Sequence, residues 1–228
     1  MISVLMSVLN DENNVNLAIE SILQQSYQDF EFLIMDDCSV DKTYEICKSY
    51  SNIDDRIKVY KNDTNIGLTK SLNKLLGIAK RDYIARQDSD DISLCERFFK
   101  QINFINENSL DGATTRAIVK NSLKITPKNS FYFPKTLIMK IKNPFIHGSL
   151  LLRRNSIQSI GGYDERFYYA QDYKLFNDLL YKKFNIKILK EELYVLNLSE
   201  NISTKYKDKQ KYYADCVKKG NIPIENFK

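Results

Sequence analysis

The sequence predicts a single α/β domain whose central sheet is mostly parallel and flanked by helices. Three observations lead there. Strand-like apolar runs alternate with amphipathic helical stretches four times within residues 1–106, and successive β-α units build parallel sheets with right-handed crossovers. The first run, ISVLMSV, is almost continuously apolar, as a strand covered on both faces should be. The 228 residues, 43% of them hydrophobic and 28% charged, suit a globular domain with a real core.

In order, residues 2–8 are the first strand, and 13–26 form a helix through Val15, Ala18, Ile19, Ile22 and Leu23. Residues 30–35 make the second strand; 41–50 make a helix that Asp41 is placed to cap. A third strand (57–60), a third helix (68–80) and a fourth strand (83–87) follow. Ser93-x-x-Glu96 is a capping-box signature opening a helix to about residue 106. Residues 121–142 mix lysines, prolines and aromatics without a period and are expected to be a loop or loosely held lid. Beyond it come a strand at 148–153, a short helix, the turn Gly161-Gly162-Tyr163-Asp164 and an amphipathic helix at 170–184. One or two strands over 186–198 and a final helix over 205–219 complete the pattern. No internal repeat and no inter-domain linker is visible.

Composition excludes several functions. No apolar run reaches the roughly 18 residues of a membrane-spanning helix. The start, MISVLMSVLN, has neither a basic leader nor a cleavage site and reads as mature sequence. Cys38, Cys47, Cys95 and Cys216 are scattered, which fits a reducing cytosol and offers no zinc site. With His147 the only histidine, a bound metal would have oxygen ligands, which suits Mg2+ or Mn2+. The net charge of +5 matches eleven lysines against six acidic residues from Tyr181 onward. This lysine-bearing tail is expected either to be a solvated helix face or to touch an anionic membrane surface, at the inner face of the cytoplasmic membrane. Nucleic acid is not an expected partner.

In open parallel sheets ligands sit at the carboxyl ends of the strands. Asp36-Asp37 ends the second strand and Asp88-Ser89-Asp90-Asp91 the fourth, so two acidic clusters should face one crevice. Residues two apart on an extended segment share a side. Arg86, Asp88 and Asp90 therefore point one way, and Asp91 points toward the next helix. Two carboxylates can share a divalent cation that keeps positions open for phosphate oxygens, and an arginine fork suits the phosphate itself. Glycine-rich phosphate loops of the dinucleotide and P-loop types are missing. A metal must then hold the phosphates.

Several co-linear blocks carry a resemblance: ISVLMSVLNDENNVNLAIESILQQSYQDFEFLIMDDCSVDKT, NDTNIGLTKSLNKLL, DYIARQDSDDISLCERFFKQ, NPFIHGSLLLRR, GGYDERF and AQDYKLFNDLL. Together they cover most of residues 1–184, and the chain resembles the family 2 inverting glycosyltransferases. The resemblance implies the GT-A fold, Rossmann-like, with a nucleotide-sugar-binding half (1–106), an acceptor and catalytic-base half (107–204) and a basic tail (205–228). It implies a UDP-sugar donor, Mn2+ or Mg2+, and a saccharide or lipid-linked acceptor in cell-surface polysaccharide synthesis. Val8, Asn10 and Glu12 match the nucleotide-contacting end of the first strand, and Asp37 matches the uracil-binding aspartate. Asp88 and Asp90 match the D-x-D motif, with Asp90 the more direct metal ligand and Asp88 nearer ribose or sugar. Asp172 matches the catalytic base. Asn65, which with Gly67 shapes the loop after the third strand, joins Arg86, Ser89 and His147 in the expected donor-binding set.

Met6-Ser7 stands where the family often has proline, and Gln171 where an acidic residue often precedes the base. Tyr168 and Tyr169 are candidates for a sugar platform or for core packing. A nucleotidyltransferase and an inactive nucleotide-binding module are the competing readings. The former would show a glycine- and lysine-rich loop after the first strand, and residues 9–14 show neither.

Overall fold

The computed structural model describes residues 1–198 and 206–224. The parallel half consists of β1 (Ile2–Val8), β2 (Phe30–Asp36), β3 (Ile57–Lys61) and β4 (Tyr83–Arg86), joined by α1 (Val15–Leu23), α2 (Thr43–Ser51) and α3 (Leu68–Ile78). Next in the chain are β5 (Ile92–Ser93), α4 (Arg97–Glu107), β6 (Gly112–Val119), β7 (Ile125–Thr126) and α5 (Lys135–Ile138). The last elements are β8 (Leu151–Arg153), α6 (Arg154–Ser159), α7 (Gln171–Tyr181), β9 (Ile186–Leu196) and α8 (Lys207–Lys219). All strands join one sheet in the order β3-β2-β1-β4-β8-β6-β9-β5, and β7 pairs with β6. β1 to β4 pair in parallel, whereas β8 runs antiparallel to β4 and β6.

Alternation along β1 explains why both faces are covered. Ile2, Val4, Met6 and Val8 pack under α1, α2 and α4 with Ile19, Cys47 and Phe98. Leu5 points to the opposite face, where α3, α7 and α8 bring Leu72, Phe176 and Tyr213. Every residue of β1 and β2 is buried, as expected of strands sandwiched between helices. The parallel strands end together, so the segments after Val8, Asp36 and Arg86 meet at one edge. β8 enters from the same edge, since the Arg86 amide donates to the Leu150 carbonyl at 2.8 Å.

Four expectations are corrected. The capping box does not form, because Ser93 belongs to β5 and its hydroxyl donates to Gln87, while Glu96 pairs with Lys100. Asp41 is not the residue that caps α2, although its carboxylate still accepts the Thr43 amide at 3.0 Å. Residues 121–142 are not wholly irregular, since they hold β7, a 3-10 turn (Ser130–Tyr132) and α5. The 148–153 strand shortens to Leu151–Arg153, preceded by a 3-10 turn at His147–Ser149. The final helix starts at Lys207. Its expected start Lys205 and the terminal Lys228 lie outside the described residues. α8 is no free tail: Tyr213, Cys216 and Val217 are buried in the core.

Candidate active site

The loop after β1 is fastened to the start of α2. The Asn10 side chain accepts the Val40 amide at 2.9 Å, Glu12 accepts the Lys42 amide at 2.9 Å, and the Asp11 amide donates to Thr43 at 2.8 Å. Asn10 has φ 50°, which breaks the strand's alternation. Glu12 is consequently exposed and turned toward α2, and it is not among the cavity-lining residues. Asp11 enters the cavity instead. It accepts the Asn14 amide group at 2.7 Å and the Ser89 hydroxyl at 2.6 Å, tying the β1 loop to the β4 loop.

Asp37 is 2% exposed and lines the cavity. Its carboxylate accepts Asn62 at 2.8 Å, the Ile66 amide at 3.0 Å and the Gly67 amide at 2.8 Å. That uses three of roughly four lone-pair positions. The carboxylate thereby fixes the loop containing Asn65, whose side chain also accepts the Gly67 amide at 3.1 Å. Gly67 sits at φ 87°, and an added Cβ there would come within 2.8 Å of the Tyr168 ring. Tyr168 thus borders the cavity, whereas Tyr169 is buried in an aromatic cluster with Tyr206 and Tyr213.

The β4 end carries the densest charge. Arg86 is 2% exposed and does not project as an open fork; it donates to the Leu5 carbonyl and pairs with Asp88 at 2.6 Å. Beneath it Arg97, fully buried, donates to Gln87, Ser93, Gln101 and the Arg86 carbonyl. Desolvation pushes Arg97 down to about 10. Burial, then repulsion from Asp88 and Asp11, pushes Asp90 up to about 6. Asp91 turns not toward the next helix but toward the end of β9, where it accepts the Asn197 amide at 2.7 Å; burial, then repulsion from Asp88 and Asp90, raises it well above the usual carboxylate range. Gly148 is the floor of this corner. A Cβ there would strike the Tyr194 hydroxyl and come within 2.6 Å of Asp88 Oδ2.

These residues suit a divalent cation. Asp88 and Asp90 present carboxylates crowded enough to raise Asp90, and no third ligand closes the shell among the described residues. One or two carboxylates with open positions for phosphate oxygens is the donor set that Mg2+ commonly uses.

Asp172 stands in the first turn of α7, entered through Ala170 at φ 52°. Asn143 donates to its Oδ2 at 2.8 Å, a partner invisible in the sequence pattern. Desolvation raises the Asp172 pKa, with Asp88 adding to the rise. His147 bonds the Tyr163 hydroxyl at 2.7 Å, and burial, then Arg86, push it down to about 3. It is neutral at physiological pH.

Val8, Asn10, Asp37, Asn65, Arg86, Asp88, Ser89, Asp90, His147 and Asp172 all border one cavity of about 1590 Å³. Of the expected residues only Glu12 is left outside. Asp11, Asn143 and Tyr194 were not anticipated.

The comparisons with known proteins bear on the family and the fold. The sequence profile of Glycosyl transferase family 2 matches residues 3–161. EpsE of Bacillus subtilis is 37% identical over 169 residues, which are 71% of this chain and 59% of EpsE. The O-antigen biosynthesis glycosyltransferase WbnJ of Escherichia coli is 35% identical over 201 residues, 82% of this chain and 74% of WbnJ. The chain therefore spans between about half and three quarters of these relatives. Residues 1–349 of S. aureus TarS in complex with UDP-GlcNAc superpose with a TM-score of 0.80 at 21% identity, covering 98% of this chain and 68% of that one. A mannosyltransferase from Pyrobaculum calidifontis in complex with GDP-Man and Mn2+ gives 0.76 at 12% identity, covering 97% and 65%. The architecture is the GT-A fold, and the chain belongs to glycosyltransferase family 2.

Proposed function

We propose that this chain moves a sugar from a UDP-linked donor to a hydroxyl of a saccharide or lipid-linked acceptor, with inversion, in cell-surface polysaccharide synthesis on the cytoplasmic side. The observation that carries the reading is the meeting of the Asp88–Asp90 corner and Asp172 in one cavity. The two relatives and the UDP-GlcNAc complex of TarS support the chemical class.

Residues 1–106 would hold the donor, with Asp37 and Asn65 shaping the nucleotide end. Asp90 and Asp88 would hold Mn2+ or Mg2+, which makes the nucleoside diphosphate a better leaving group. Arg86 keeps Asp88 in place instead of contacting phosphate directly. Asp172 takes the proton of the acceptor hydroxyl as its oxygen attacks the anomeric carbon, opposite the departing phosphate. Asn143 donates to Oδ2 and so orients the carboxylate. The raised pKa of Asp172 moves it toward the operating pH, which strengthens a general base. His147, neutral and bonded to Tyr163, walls the site without moving a proton.

General-base catalysis contributes about 10²–10⁴-fold. Asp172→Asn should lower kcat by that order while UDP binding survives, in an assay of UDP release over a panel of UDP-sugars and acceptors. A variant with near-normal kcat removes Asp172 from the role, and release of pyrophosphate in place of UDP removes the transferase reading.

A further inference from the structure

Between Asp111 and Asp164 the chain carries nine lysines and arginines and not one acidic residue. The middle of this stretch lies at the cavity, which Lys120, Lys124, Lys128 and Lys142 help to line. Lys124, Lys128, Lys140 and Lys142 are exposed. Beside them stand large apolar side chains facing solvent: Leu123 is 79% exposed, Phe133 57%, Leu137 56% and Ile141 70%. Apolar tips this exposed, in the same segment as cations that line the cavity, suit an interaction site. Its charge complements an anionic lipid bilayer, where apolar side chains enter the headgroup boundary while lysines meet the lipid charge.

We propose that residues 120–142 dock this protein on an anionic membrane, presenting the cavity to the lipid surface. A second copy of the chain fits this face poorly, because an isologous contact would set lysines against lysines. α8 is the weaker candidate, since its apolar face is already spent on the core. The inference does not depend on the transferase reading, because it is tested without donor or acceptor.

The test is co-sedimentation of the full chain with phosphatidylglycerol-containing vesicles and with neutral phosphatidylcholine vesicles. Circular dichroism melting of each variant serves as the folding control. Binding to the anionic vesicles alone, weakened by salt, is expected. Each lysine near the surface strengthens attraction about fivefold, so K124Q/K128Q/K140Q should weaken binding about 100-fold. L123S/F133S/L137S/I141S should weaken it at least tenfold. K207Q/K209Q/K218Q/K219Q on α8 should change it by much less than the first set. Unchanged binding by the first two variants, or loss confined to the α8 variant, would overturn the proposal. So would self-association in analytical ultracentrifugation that the apolar variant abolishes while vesicles are ignored.

Discussion

The two walls of the cavity are built on opposite plans. On the wall from residues 1–106, charged side chains are buried and bonded: Asp37 accepts three donors, Arg86 grips Asp88, and Arg97 spans five acceptors beneath them. On the wall from residues 119–143, lysines and apolar side chains stand in solvent, and Asn143 is the polar residue that reaches across to Asp172. The first wall fixes atoms within hydrogen-bond tolerance, which the proposed binding of a sugar donor would need. The second offers charge and apolar surface without fixed geometry, which the proposed docking on a surface would use. The difference teaches where substitutions should hurt stability and where they should hurt partner choice.

The comparison can be broken most severely at Arg97. Arg97→Met leaves several buried acceptors without donors, each worth about 1–3 kcal/mol. A total loss of about 4 kcal/mol is expected, lowering Tm by roughly 8–16 °C at about 2–4 °C per kcal/mol. Chemical denaturation that shows less than about 1 kcal/mol would mean the first wall is not held this way.

Gly148→Ala is expected to cost about 1–3 kcal/mol from overpacking. It should also displace Asp88 and weaken Mn2+-dependent UDP binding by about tenfold or more, read by calorimetry. Asp90→Asn should act in the opposite sense on stability. Its carboxyl is raised toward about 6, so the stability it lends is complete below the unfolded value near 3.8 and lost as pH rises through about 6. At pH 7 the ionised group costs about 1 kcal/mol after allowance for solvent screening. The variant should then melt roughly 2–4 °C higher without metal and lose metal-dependent binding.

The smallest effect is on pH dependence. Asp172 is raised, so the acid limb of kcat/KM should lie above the ordinary aspartate range, with activity present on its alkaline side. No limb near the usual histidine value is expected, because His147 titrates near 3.

Much of the first wall was legible in the sequence. Continuous apolar strands, helical spacing and aspartates at strand ends all report local chemistry, and local chemistry governs that half. The gaps have physical causes. β6 went unseen because its GATTRAIV pattern buries Thr114 and Thr115 completely, so hydropathy gives no strand signal. The capping-box reading failed because long-range pairing of Ser93 with Tyr194 in β9 outweighs a local cap. Asp11 was hidden between Asn10 and Glu12, since only the positive φ of Asn10 selects which of them turns inward. The basic second wall was masked by averaging, because acidic residues elsewhere in the first 180 balance its charge. Asn143 and Asp172 lie 29 residues apart, and their pairing has no sequence signature.

The central claim is that Asp88 and Asp90 grip a cation bearing the donor's diphosphate, with Asp172 acting from across the sugar. Titration calorimetry of UDP with Mn2+ tests it on the native chain, Asp90→Asn and Asp172→Asn. Binding that EDTA abolishes in the native chain, that Asp90→Asn loses and that Asp172→Asn keeps is the predicted result. UDP binding indifferent to EDTA, or lost together with Asp172, would contradict it.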